Sequence, residues 1–557
     1  MAPGAQVDGE FRKGGAFTPL KEGPFRRIWS ASLLSNFSQL FLGVGAAWEM
    51  TRLSDSPSMV ALVQTAMMVP LMVVALPAGA VADMFDRRKI AMTGLGFAAL
   101  CAAGLATISI LGLTTPWILL AFCALIGAGV ALYAPSWQAS IPELVSRQNL
   151  PAAVALGTIS YNVARSFGPA LGGLIVLAAG AKAVFGLTSV LYTPLFLAFL
   201  FWKRQHVPSR LPPERIDRAM IGGARYALHS PPIRTALTRV FVFGLMSATA
   251  TALAPLVAKD LLKGDAATFG ILLGAQGVGA VLGALFVSEI RDRFSTEWSI
   301  RTFAVGTGIA LVGVAYSTSL LLTCACFFFI GAFNILTIAL LNVSVQLSAP
   351  RWVTARALSL FSSAITAGIG IGAWIWGVIA GQASLEFALA ASGFGVMATA
   401  FLGFILPLMR DQEDEHESVD IGYEPNVELA LTLRSGPIVV EVDYDVDPTM
   451  AREFYDVMMK MQRVRKRIGA FDWSISRDVE NPAIWTEHYH CPTWGDYLRM
   501  RDRYTQADFE LQALADSYNR SGSGRRVRRR LERPFGSVRW KAESPDFYKG
   551  TVDYFGP

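Results

Sequence analysis

Through about residue 410 the chain is a succession of long apolar runs separated by short polar breaks. The runs fall near 28–50, 58–82, 90–112, 116–140, 153–178 and 183–202, and again near 236–258, 268–290, 299–316, 320–347, 356–380 and 385–408. Each is close to the roughly 20 residues that an α-helix needs to cross a bilayer core. They are continuously apolar and do not alternate, so they predict helices and not the strands of a barrel. The pattern is six spans, a long polar break and six more. It predicts an all-α membrane protein of 12 transmembrane helices in two six-helix bundles, packed around a central cavity.

Charge gives an independent reading of orientation. With the N-terminus inside, the inner breaks carry Arg87, Arg88 and Lys89, Arg147, the cluster from Lys203 to Arg239, Arg291 with Arg293, and Arg351. The outer breaks carry Arg52, Lys182, Lys259 and Lys263. This asymmetry follows the positive-inside rule and places both termini in the cytoplasm. The polar N-terminal stretch leads through Arg26 and Arg27 into a full-length span, which reads as a retained first helix and not a cleaved signal. In the central break, Pro212-Pro213-Glu214 opens a short amphipathic helix expected to lie on the inner membrane face.

From Asp411 onward the composition becomes that of a soluble domain, rich in Asp, Glu, Arg and Tyr. The expected organisation is a tail at 1–24, bundles at 25–203 and 233–409 joined by a loop at 204–232, a linker at 410–435, a small domain at 436–545 and a tail at 546–557. The net charge of +6 is accounted for by membrane orientation and calls for no nucleic acid. The five cysteines have neither a pairing framework nor metal-ligand spacing, so neither a metal nor another cofactor is expected.

Between the second and third spans stands Gly79-x-x-x-Asp83-x-x-x-Arg87-Arg88. Gly79 permits close helix approach, and Asp83 can pair with Arg87 or Arg88 or face a neighbouring helix N-terminus. The run resembles the loop motif of the major facilitator superfamily, Gly-x-x-x-Asp-Arg-x-Gly-Arg-Arg/Lys. It departs from that motif at Met84 and Asp86, where Arg and Gly are usual. The resemblance implies an inner gate that breaks as the two halves rock.

Three further stretches narrow the resemblance. They are Trp48–Pro57, the run Gly168-Pro169-Ala170-Leu171-Gly172-Gly173, and Arg351–Ser359. Together they are similar to the branch that includes the enterobactin exporter and the transmembrane secretion effectors. The Gly-Pro-x-x-Gly-Gly run is similar to the helix-5 motif of exporters of the drug:proton antiporter type. The implied function is proton-driven export of a small amphiphilic molecule (a siderophore, drug or secondary metabolite) by alternating access, in the inner (cytoplasmic) membrane.

Several residues are candidates for the substrate and proton pathway. Arg165 in a bilayer-spanning helix costs about 2.5–3.5 kcal/mol on insertion scales. It either faces the cavity beside Asn162 and binds an anionic group, or snorkels toward the inner end of its helix. Proton coupling needs a buried carboxylate, and the membrane part offers Glu49, Asp83, Glu143 and Glu289. Glu49 is either that group or an ion-pair partner of Arg52. Glu289 and Asp292 stand where the second half repeats the charged hairpin. Asn36, Gln64, Asn334 and Asn342 are amides in apolar helices, which line the cavity or bond between helices.

The tail alternates apolar and polar residues over Gly436–Val446, and Asp447-Pro448 then caps a helix reaching Ile468. Strands follow at Phe471–Val479 and Ala483–His490, helices from Pro492 and Gln506, and a last strand at Val538–Lys541. The β-α-β-β-α-β order predicts a ferredoxin-like α+β sandwich. It resembles the dimeric α/β barrel of cofactor-free antibiotic-biosynthesis monooxygenases, which implies homodimerisation or regulation. A catalytic tail, with His488 and His490 on one strand face, is the alternative. The basic segment at 525–533, with Arg525, Arg526 and Arg528–Arg530, is expected to contact anionic lipid headgroups.

Overall fold

The computed structural model describes residues 17–532, apart from 85, 147–148, 203–224, 227–228, 350–353, 409–426, 430, 502 and 522–523. The chain divides into two compact units. One comprises Met1–Pro208, Thr238–Leu341 and Ser362–Pro407, and the other Ser209–Leu237, Asn342–Phe361 and Leu408–Pro557.

Among the described residues, ten helices are long and apolar enough to cross a membrane. The helices are α1 (Gly23–Leu53), α2 (Pro57–Met84), α3 (Arg87–Ile110), α4 (Pro116–Leu144), α5 (Leu150–Phe201) and α6 (Pro231–Ser247). They continue with α7 (Ala266–Leu285), α8 (Val287–Arg293), α9 (Thr296–Tyr316), α10 (Leu320–Ser348), α11 (Thr354–Gln382) and α12 (Leu385–Thr399). The apolar span that opens with α6 runs on through short turns and a π-helical stretch, Val257–Leu261. α1 is 31 residues long but is not one of the ten, because Arg26, Arg27, Asn36, Gln39, Glu49 and Arg52 dilute it.

The expected fifth and sixth spans are continuous in α5, which turns at Gly180, where φ is +78° and ψ 170°. Only glycine adopts that conformation without strain. Pro169 and Pro194 also lie inside α5. Where the remaining spans were expected, helices stand with boundaries shifted by a few residues. The amphipathic helix expected from Pro212 lies outside the described residues.

Small residues set the helix spacing. A Cβ built at Gly94 would sit 2.7 Å from the Gly129 carbonyl oxygen, and one at Gly331 would collide with that of Gln276. These approaches bring backbones together where lipid gives no hydrophobic drive to association. Around them pack two apolar clusters, one including Leu95, Leu119, Tyr192 and Phe199, the other Phe269, Leu311, Phe327 and Leu389.

The second unit holds a four-stranded antiparallel sheet of β1 (Ile438–Asp445), β2 (Phe471–Arg477), β3 (Ile484–Cys491) and β4 (Arg526–Leu531), in the order β2-β3-β1-β4. Helices α13 (Ala451–Ile468), α14 (Trp494–Arg501) and α15 (Gln506–Ser517) complete it. Alternation along β1 buries Val440, Val442 and Tyr444 against Phe454, Met458 and Met461 of α13.

The fourth strand is the basic run itself, and residues 538–541 lie outside the described region. Arg528 reaches Asp443 and Arg530 reaches Glu441 (3.1 Å) across the β1–β4 pair, while Arg525 binds Asp516 at 2.6 Å. Opposite charges on facing strands stabilise this pairing. They also remove much of the free charge on which contact with lipid headgroups was to depend.

Candidate functional site

The charged hairpin joins α2 to α3. Gly79 and Asp83 lie within α2, and their side chains are outside the described set. Asp86, which stands where the superfamily motif has glycine, caps α3 by accepting the Arg88 backbone N–H at 2.9 Å. A carboxylate there meets the positive end of the helix dipole, so the departure has a structural use. Arg87 donates to Glu143 Oε1 at the end of α4, at 3.0 Å. Arg88 donates through Nε to the Phe199 carbonyl at 2.8 Å and through Nη2 to that of Leu200. Those carbonyls stand in the last turn of α5, at the negative end of the helix dipole, which makes a cation there favourable.

A related arrangement stands in the later helices. Glu297 in the first turn of α9 accepts Arg239 at 2.6 Å and Arg301 at 2.9 Å. Arg239 also reaches the Leu406 carbonyl at 3.4 Å, and Arg301 covers the Phe404 ring at 3.9 Å. Sequence reasoning missed this cluster. Its signal was the Glu297–Arg301 spacing of four, with a third charge supplied from 58 residues away. Glu289, expected to repeat the hairpin, pairs with Arg293 one turn on, at 2.8 Å.

The Gly168–Gly173 run makes the contact between α5 and α7. A Cβ at Gly173 would lie 2.5 Å from the Ala266 carbonyl oxygen, and one at Gly270 2.7 Å from that of Pro169. On the other side of α5, Gly168 meets Leu40 and Gly172 meets Phe41 and Val44 of α1. The α5–α7 contact ends where Gly277 touches the Arg165 and Ser166 backbone.

Beyond that point one face of α5 changes character. Val154, Thr158 and Tyr161 are exposed and Arg165 is half-buried, all on one stripe at helical spacing. The same stripe continued through Pro169, Gly172 and Val176 is buried. A second exposed stripe, Ile159, Val163, Phe167 and Leu174, lies on the opposite side and suits lipid. The first stripe is thus exposed toward the Leu150 end of α5 and covered beyond Arg165. Arg165 has no hydrogen-bond or ion partner among the described residues.

The other candidates divide. Asn36 Nδ2 bonds Ser160 Oγ across α1 and α5 at 3.1 Å, and Asn162 bonds the Thr158 carbonyl of its own helix at 3.0 Å. Gln64 is half-buried, and its neighbour Thr65 donates to the Gly370 carbonyl at 2.7 Å. Asn334 keeps a buried Oδ1 without a partner among the described residues, and Asn342 accepts from Gln346 at 2.6 Å. Glu49 pairs with Arg52 at 3.2 Å, as its ion-pair reading expected.

In the tail, Arg465 grips Glu487 with two hydrogen bonds of 2.8 and 3.0 Å, and Gln512 takes a third. Burial opposes the Arg465 charge, but the Glu487 carboxylate more than offsets it and the guanidinium pKa is raised. Glu487, the carboxylate beside His488, is thus committed to the core. His488 and His490 sit with rings 4.8 Å apart, and His490 faces Glu532 at 3.4 Å. No group of three potential metal ligands stands together among the described residues.

This arrangement of apolar helices, with its charged hairpin, defines a membrane transporter of the major facilitator type. The profile of the transmembrane secretion effector family matches residues 14–535, and the chain belongs to that family. It is 26% identical over 393 residues to the enterobactin exporter EntS of Shigella flexneri, covering 68% of this chain and 90% of that one. The Salmonella typhi enterobactin exporter is 27% identical over 394 residues, covering 68% and 91%. Among solved structures, a bacterial homologue of the human lysosomal transporter Spinster, inward-facing and unoccupied, superposes with a TM-score of 0.56 at 12% identity, over 70% of this chain and 95% of that one. The nucleoside transporter NupG gives 0.56 at 12% identity, over 70% and 100%. These two likenesses establish the fold.

Proposed function

We propose that this chain is a proton-coupled exporter of a small amphiphilic, anionic molecule, working by alternating access across the inner membrane. The observation that carries the reading is the exposed stripe of α5 that ends at Arg165, directly below its glycine-lined contact with α7. An unpaired guanidinium where that stripe ends suits an anionic group entering along it. The kinship with enterobactin exporters supports a siderophore-type substrate. In this reading α5 counts as two spans about Gly180, and α1 is added to the apolar helices. The total is then twelve spans, with both termini cytoplasmic.

In this reading the carrier is shut at its outer end and open inward. Thr51, Thr65 and Gly173 sit on the closed side, while Val154 and Tyr161 sit on the open one. Outward turnover requires the α5–α7 contact to part and the hairpin at Arg87–Glu143 to close against its neighbours. The β-α-β-β-α-β core of the tail supports a ferredoxin-like sandwich with a regulatory or dimerising role.

Everted membrane vesicles test the reading. Accumulation of a catecholate siderophore that requires an imposed pH gradient, and collapses with a protonophore, is expected. Accumulation indifferent to the gradient removes proton coupling, and none under any condition removes export.

A further inference from the structure

The tail holds a cavity of about 190 Å³ between the sheet and helices α14 and α15. All of its lining residues belong to the tail, and nothing in the transport reading uses it. Its walls are made by Tyr489, Tyr497, Tyr504 and three arginines, 465, 501 and 529, on an apolar floor that includes Val442 and Met500.

The charges do not balance. Arg465 is neutralised by Glu487, and Arg525, also in the lining, by Asp516. Arg501 and Arg529 have no acidic partner among the described residues. Arg529 instead donates to the Tyr497 hydroxyl at 2.6 Å and lies 5.6 Å from the centre of its ring. Tyr489 and Tyr504 are 4% and 8% exposed, and neither hydroxyl has a hydrogen-bond partner among the described residues. These hydroxyls and the two guanidiniums line the cavity without an acidic partner among the described residues, so a ligand that enters can engage them without breaking an ion pair. The volume is below the roughly 300–1,000 Å³ of sites for drug-sized ligands, so the occupant is small.

We infer that this cavity is a binding site for a small aromatic carboxylate of one or two fused rings. The tyrosine rings and guanidinium planes offer flat faces to the aromatic part. The carboxylate takes the two spare cations, with the Tyr489 and Tyr504 hydroxyls as donors. The inference is independent of what the membrane part carries. It gives the tail a receptor function in place of the catalytic one.

Isothermal titration of the full-length protein in detergent, with 2-naphthoate as the probe, tests it. The parent is expected to bind one equivalent per chain. The double variant Arg501→Gln/Arg529→Gln should bind at least about tenfold more weakly with an unchanged unfolding midpoint, and 2-naphthylmethylamine should not bind. Because detergent and membrane helices also take up aromatic acids, the variant carries the test. Equal affinity in parent and double variant, equal binding of the amine, or no heat with 2-naphthoate at millimolar concentration each overturns the proposal. Tyr504→Phe, which keeps the ring and loses the hydroxyl, is expected to weaken binding less than the double variant; an effect larger than that of the double variant contradicts the assignment of the carboxylate to the arginines.

Discussion

The Lys259 ammonium donates to the backbone carbonyl of Thr51 at 2.7 Å, tying the π-helical end of one apolar span to the last turn of α1. Thr51 is buried, and carbonyls in a final helical turn lack intrahelical partners. One turn earlier, Trp48 stacks with Phe269 of α7, their ring centroids 6.4 Å apart. These contacts join early and late helices on the side where Gly173 meets Ala266.

Replacing Lys259 with Met should loosen that end. A cation at a helix C-terminus is worth about 1 kcal/mol, which shifts a two-state population about fivefold. A cysteine placed at Ser58, in a background without native cysteines, should therefore react several-fold faster with an impermeant thiol reagent applied from outside. Lys259→Arg should behave as the parent does. Equal labelling in all three would show that the contact does not hold the gate.

Gly173 tests the same closure sterically. Its Cβ position is occupied by the Ala266 carbonyl and the Gly270 backbone, which cannot swing aside as a side chain would. Gly173→Val should leave membrane insertion intact and reduce transport by about tenfold or more, since packed helices of this kind depend on small residues. Wild-type transport with normal abundance would contradict the assignment.

Breaking the Arg465–Glu487 pair should unfold the tail. Both side chains are buried, at 4% and 0% exposure. Removing one partner of such a pair costs about 3–5 kcal/mol, whereas replacing both with apolar residues costs far less. Limited proteolysis of the full-length protein should find the tail cleaved in Arg465→Leu and in Glu487→Leu, and protected again in the double variant.

Burial pushes the Cys491 thiol up to about 12, with Arg465 opposing and Asp496 adding. A thiol pKa raised above its unfolded value of about 8.5 means that the folded tail holds this proton more tightly. The associated stability is full below about pH 8.5 and is lost as the pH climbs toward 12. Iodoacetamide at pH 8 should spare Cys491 in the folded protein and modify it after denaturation, as peptide mapping would show.

The helices and their approximate limits were legible in the sequence because lipid rewards uninterrupted apolar runs and charges mark their ends. The tail helices from Trp494 and Gln506, and the strand at Ile438–Asp445, were legible through alternation and caps. The break expected between the fifth and sixth spans falls at Gly180, whose φ of +78° and ψ of 170° leave the helical region. Pairings distant in sequence were not legible. Glu143, one of four carboxylates offered for proton coupling, meets Arg87 across 56 residues, while Arg88 finds the Phe199 carbonyl 111 residues away. The strand pairing of the basic run was not legible for a related reason. A row of arginines reads as a solvated face until Glu441 and Asp443 on the neighbouring strand are seen to receive it. For Arg165 the sequence left two readings open, a cavity-facing charge and one that snorkels to the inner end, because periodicity does not say which face of α5 is exposed; the structure adds that its stripe is exposed toward the Leu150 end.

Arg165 is where the account is most exposed to test. Initial rates of catecholate siderophore uptake into everted vesicles, measured against substrate concentration for the parent, Arg165→Lys and Arg165→Gln at equal abundance, address it directly. The expected result is that the glutamine variant loses about tenfold or more in apparent affinity while the lysine variant retains most of it. Uptake by Arg165→Gln at the parent's affinity and rate would mean that the exposed stripe of α5 is not where the substrate binds.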